Sequence, residues 1–150
     1  MIPLSEPWIR REEREAVNRV LARGRILTNG PWVSSFERKV ARLVGVRHAV
    51  AVSSGTAALH IALLSCGIGR GDEVIVPAYT FPATANAVAL TGAKPVLCDI
   101  DPTTFNINTS LIPKLIGSKT KAILPVHQFG LPANMEEILP LCRRYNLRLI

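Results

Sequence analysis

The sequence predicts an α/β fold: a mostly parallel sheet with helices on both faces. Two patterns lead there. Val74-Ile75-Val76 and Ala122-Ile123-Leu124 are apolar on consecutive positions. A strand with one wet face alternates, so these read as strands covered on both sides. Stretches of helical period separate such segments, and a β-α-β-α succession closes as a parallel sheet with crossover helices.

The elements follow in order. An arm opens the chain. From Arg11 to Arg23, Ala16, Val17, Val20 and Leu21 recur at helical spacing, with Gly24 as a stop. Asn29-Gly30-Pro31 signals a turn. The next helix, Ser35 to Val44, is expected to bury Phe36, Val40, Leu43 and Val44 and to end at Gly45. Strands are then expected at His48–Val52, Glu73–Val76, Pro95–Ile100, Ala122–Val126 and Leu147–Ile150. The helices between them are Thr56–Cys66, Pro82–Leu90, Ser110–Ile116 and Asn134–Tyr145. Pro140 falls inside the last helix and is expected to kink it or delay its start.

Composition narrows the class. At 150 residues, 48% hydrophobic and 19% charged, the chain has enough apolar material for one domain with a core, which argues against disorder. No apolar run reaches the roughly 18 residues of a membrane span, and the charged N-terminus lacks a signal peptide's apolar region. A cytoplasmic setting is therefore expected. Cys66, Cys98 and Cys142 are widely spaced in apolar surroundings without a C-x-x-C, so buried reduced thiols are expected and no metal site. The net charge of +7 is concentrated in residues 1–47. It falls mostly on the polar faces of two helices, and no nucleic-acid partner is expected.

Three segments carry candidate chemistry. Ser53-Ser54-Gly55-Thr56-Ala57-Ala58-Leu59 lies between a strand and a helix. Glycine permits close backbone approach, and a helix N-terminus offers free amides to an anion. Ser54 and Thr56 serve an ordinary helix cap equally well. The segment lacks the Gly-Lys-Ser/Thr of a Walker loop, and the chain lacks G-x-G-x-x-G. The second segment, Pro77 to Asn86, offers Tyr79 and Phe81 either as a face for a planar ring or as core packing. The third, Pro125 to Gly130, places His127 and Gln128 at the end of a strand, where a structural histidine and a functional one are both open readings. Asp99 and Asp101 read as starting a turn before Pro102.

Taken in order, these segments resemble the DegT/DnrJ/EryC1/StrS family of pyridoxal-phosphate-dependent sugar aminotransferases. The resemblance runs through Gly30-Pro31-x-Val33, Ser53 to His60, Gly69-x-Gly71-Asp72-Glu73-Val74-Ile75-Val76-Pro77, Tyr79-Thr80-Phe81-x-Ala83-Thr84-Ala85-Asn86-Ala87, Gly92 to Val96, and Pro125-Val126-His127-x-x-Gly130-x-Pro132-Ala133.

That resemblance implies the aspartate-aminotransferase fold, type I, and pyridoxal 5'-phosphate as cofactor. Ser54, Gly55, Thr56, Ala57, Phe81 and His127 are the cofactor-binding candidates it points to, with Gly55, Thr56 and Ala57 at the phosphate and Phe81 against the ring. It implies transamination of a keto-sugar, nucleotide-linked, with glutamate or glutamine as donor, in a homodimer with shared active sites. The family's Schiff-base lysine is expected beyond residue 150; Lys39, Lys94, Lys114, Lys119 and Lys121 do not match its position. On this reading the chain is an N-terminal fragment, an arm to about residue 34 and the first part of the large domain, inactive alone. The rivals are a sugar dehydratase of the same family with histidine in place of the lysine, a non-catalytic derivative of the fold, and a Rossmann-type enzyme, which the absent glycine fingerprint weakens.

Overall fold

The computed structural model describes residues 6–23, 28 and 30–150. Gly24 and Asn29 of the sequence reading lie outside the described residues. The chain divides into two compact units, Met1–Ala51 and Val52–Ile150.

The first unit holds two helices, α1 (Arg11–Arg23) and α2 (Pro31–Val44). α1 begins with Glu12 and Glu13 in its first turn, where carboxylates favour the helix dipole, and Arg11 pairs with Glu15 one turn on at 2.5 Å. α2 begins on Pro31, whose missing N–H costs nothing in the first turn. It ends at Gly45, at φ 73°, with Val46 N–H closing back on Ala41 O at 3.0 Å.

Two expectations fail in this unit. The stripe of α2 is not buried: only Ala41 is, Leu43 is 87% exposed, and Phe36 and Val44 are exposed too. α1 likewise buries nothing. Helical periodicity marks a face that suits a partner, and among the described residues of the unit no such partner covers it. Residues 48–52 form no strand, because no neighbouring strand offers them a ladder among the described residues. The Ala51 N–H goes instead to the Glu37 carboxylate at 3.0 Å.

The second unit is the expected sheet. Its strands are β1 (Glu73–Pro77), β2 (Lys94–Cys98), β3 (Thr120–Ile123) and β4 (Arg148–Leu149), in the order β2-β1-β3-β4, all parallel. The helices are α3 (Gly55–Ser65), α4 (Ala83–Leu90), α5 (Ile112–Leu115) and α6 (Met135–Tyr145). Period-two alternation sends β1 to both faces. Val74 and Val76 pack with Leu63, Ala87 and Val88 of α3 and α4, while Ile75 packs with Ile112, Ile138 and Cys142 of α5 and α6. Cys98 and Cys142 are buried free thiols, and Cys66 is half-buried.

α6 runs unbroken past Pro140. Both Pro140 and Glu136, whose carbonyl loses its partner, are exposed, so water can satisfy that carbonyl and the helix continues.

The topology decides where a site can lie. From β1 the chain steps outward to β2; it then returns past β1 to β3 and continues to β4. Connections leave β1 and β3 in opposite directions, and such a reversal opens a crevice at the strands' carboxyl ends.

Candidate functional site

A cleft of about 840 Å³ opens at that reversal, lined by Gly55 and Thr56 of α3, by Thr80, Phe81 and Thr84 after β1, and by Pro125 to Gln128 after β3. Of the sequence candidates, Gly55, Thr56, Phe81 and His127 meet here. Ser54 and Ala57 do not line the cleft.

Ser54 and Ala57 instead build the helix start. Ser54 is the N-cap, with extended backbone, and its Oγ accepts the Ala57 N–H at 3.1 Å. The Ala58 N–H bonds to Ser54 O at 3.0 Å. Only the Gly55 and Thr56 amides are thus left without a partner among the described residues, and both residues line the cleft. A Cβ on Gly55 would meet nothing within 4 Å, so this chain's own packing does not require glycine there. Cap and anion cradle are therefore compatible: the serine fixes the helix start, and two amides with the positive end of the helix dipole face the open space.

Phe81 is 76% exposed at the cleft, so its ring face is open to a ligand there. Tyr79, the other aromatic candidate, turns away into a cluster with Phe105 and Phe129, ring centroids 5.8 and 6.4 Å off. Phe105 and Phe129 both hold positive φ, 59° and 51°, which costs roughly 1–2 kcal/mol apiece for a side chain of this size. The three-way ring contact is the gain visible against that cost.

His127 accepts the Ala133 N–H on Nδ1 at 3.0 Å. That bond places the proton of the neutral ring on Nε2, leaving a donor there. Gln128 donates from Nε2 to Tyr79 O at 2.7 Å, tying the end of β3 to the end of β1. The Thr80 and Thr84 hydroxyls share a bond of 3.0 Å on the cleft wall.

Asp101 does start a turn. Its Oδ1 accepts from the Thr103 hydroxyl and N–H and the Thr104 N–H, and these bonds hold its carboxyl below the usual range. Burial, with Asp99 adding to it, pushes the Cys98 thiol up to about 11. Among the described residues no three His, Cys, Asp or Glu side chains form a group able to hold a metal, and no helix is long and apolar enough to cross a membrane. No lysine lines the cleft.

Thr80, Thr84 and Asn106 were not singled out by sequence reasoning as site residues, and Gln128 was named only beside His127. The two threonines carried a signal, their i, i+4 spacing at a helix start. Asn106 carried none, since its partners lie 22 to 26 residues away.

Comparison with known proteins agrees with this architecture. The sequence model of the DegT/DnrJ/EryC1/StrS aminotransferase family matches residues 7–150. A GDP-perosamine synthase of Caulobacter vibrioides is 44% identical over 149 residues, 99% of this chain and 40% of that protein. Among solved structures, DesV of S. venezuelae is 42% identical with a TM-score of 0.87, covering 92% of this chain and 37% of that one. NtdA of Bacillus subtilis, solved with bound cofactor PMP, is 39% identical with a TM-score of 0.88, covering 94% and 33%. The chain thus spans about two fifths of the curated relative's length.

Proposed function

Because the chain belongs to the DegT/DnrJ/EryC1/StrS aminotransferase family, we propose that its cleft holds pyridoxal 5'-phosphate in an enzyme that transfers an amino group to a keto-sugar. The observation that carries this reading is that Gly55 and Thr56, whose amides have no partner among the described residues, line one cleft with the exposed Phe81 at the sheet's reversal point. When bound, the cofactor supplies a carbonyl that takes up and returns an amino group, and a ring that draws electrons from the reacting carbon.

The residues divide the work. Gly55 and Thr56 bind the phosphate through their amides, and Thr56 adds its hydroxyl. Ser54 and Ala57 hold that turn in shape through the cap. Phe81 lies against the ring, and His127 offers an Nε2–H toward it. None of these groups moves the reacting proton; the lysine for that step lies outside this stretch. The PMP-bound relative supports the cofactor, and the GDP-perosamine synthase supports a nucleotide-linked sugar.

The whole protein is a homodimer with shared sites on this reading, and the uncovered apolar face of α2 suits such a role. Free buried thiols at Cys98 and Cys142 suit a reducing cytoplasm. The test uses the chain carried to its relatives' length, given a GDP-linked keto-sugar and glutamate or glutamine labelled with heavy nitrogen. Label appearing on the sugar supports the reading; a sugar that stays unlabelled with either donor overturns it.

A further inference from the structure

The segment 127–133, whose His127 and Gln128 line the cleft, has no ladder to hold it. After β3 the chain makes a short 3₁₀ turn, Gln128–Gly130, with Phe129 in the left-handed region. What fixes it is a side chain from another segment. Asn106 is 4% exposed, and all of its amide is used. Oδ1 accepts the Gln128 N–H at 3.0 Å, and Nδ2 donates to Leu131 O at 3.1 Å and to Pro132 O at 3.2 Å. One amide group thus grips both ends of the turn.

The grip reaches the cleft in two directions. Gln128, whose N–H Asn106 holds, ties its own side chain to Tyr79 O, two residues before Phe81. Pro132, whose carbonyl Asn106 holds, precedes Ala133, the donor to His127 Nδ1. Asn106 itself does not line the cleft. Its own backbone is anchored, Asp101 N–H donating to Asn106 O at 2.9 Å.

We propose that Asn106 is a positioning residue of the cofactor cleft, setting His127 and Gln128 at the distance the ligand needs. This rests on the cofactor reading above. The chemistry of the grip is demanding, because one oxygen meets a donor while one nitrogen meets two carbonyls. Aspartate has the same shape, yet it sets a carboxylate oxygen against two carbonyl oxygens, which the site cannot accommodate without moving the turn.

The experiment measures pyridoxal phosphate affinity by absorbance and ligand fluorescence in the protein carried to its relatives' length. It compares wild type, Asn106→Asp, Asn106→Ser and Thr120→Val. Thr120 is also buried, and its hydroxyl holds the Gly117 N–H at 2.9 Å at the opposite end of β3, so its loss destabilises without touching the cleft. Wild type that fails to bind the cofactor sinks the cofactor reading. With wild type binding, the proposal expects Asn106→Asp to weaken affinity by about tenfold or more, the scale that losing one well-placed hydrogen bond to the ligand carries. Thr120→Val should leave affinity unchanged at a comparable loss of Tm. Equal affinity in Asn106→Asp and wild type, or an equal loss in Thr120→Val, overturns the proposal. Should neither Asn106 variant fold, amide exchange in the wild type decides. Slow exchange at Gln128 before cofactor is added supports a preset wall, and exchange as fast as at exposed loops overturns it.

Discussion

The helices α1 and α2 of residues 1–51 carry an apolar stripe as marked as that of α6, while α3 and α4 are apolar nearly all round, yet the two regions end in opposite states. α3, α4 and α6 bury residues against a parallel sheet; α1 buries none and α2 only Ala41. Periodicity states that a face wants covering. It does not state what covers it. In the second unit the partner is local, since β1 lies within about twenty residues of α3 and α4. Among the described residues the first unit has no strand of its own for its helices to cover.

This contrast can be broken by mutation. Ile75→Ala or Leu63→Ala should each cost about 2–5 kcal/mol, because both side chains are fully buried and their loss leaves a cavity. Leu43→Ala should cost less than about 0.5 kcal/mol, as an exposed substitution does. Denaturant unfolding of the chain measures both. A Leu43→Ala cost as large as that of Ile75→Ala would show that the α2 face is covered in solution, and the contrast would fall.

A smaller effect is expected at the cap. Ser54→Ala should cost about 1 kcal/mol, the usual value of a serine N-cap, by freeing the Ala57 N–H. It would also free a third amide in the first turn of α3, outside the cleft lining, which sharpens the division between shaping and binding groups. The same denaturation series measures it, and no change in midpoint would mean that Ser54 is not the cap.

The smallest effect concerns the thiols. Cys98 is protonated in the fold up to about pH 11 and in the unfolded chain only to about 9. The folded state therefore holds the extra proton between these values. Its contribution to stability is complete below pH 9 and is lost as pH rises towards 11. Burial raises the Cys142 thiol in the same direction. At pH 8 the half-buried Cys66 should be alkylated before Cys98 or Cys142, as read by peptide mass. Simultaneous labelling of all three would mean that the core around Cys98 and Cys142 opens as readily as the half-buried Cys66 is reached.

Much of the second unit was legible in the sequence. The consecutive apolar runs at Val74–Val76 and Ala122–Leu124 marked the central strands, and the three motifs, two of them after strands, meet in one cleft where the chain reverses between β1 and β3. Three things were not legible, each for a physical reason. An extended segment such as residues 48–52 becomes a strand only with a neighbour. Pro140 breaks a helix only where its orphaned carbonyl cannot reach water. The grip of Asn106 depends on bonds to residues 22 to 26 positions on, which no local pattern encodes. Phe105 and Phe129 illustrate the same limit: their left-handed backbone is set by a ring cluster, against their own preference.

The most direct test of the account follows the backbone amides of residues 54–58 by NMR, in the protein carried to its relatives' length, as pyridoxal phosphate is added. The Gly55 and Thr56 amides should shift most, since they are the two left unpartnered at the start of α3, while Ala57, already bonded to Ser54 Oγ, should shift little. Resonances of Gly55 and Thr56 that stay in place while the cofactor binds would contradict the assignment of this helix start as the phosphate site.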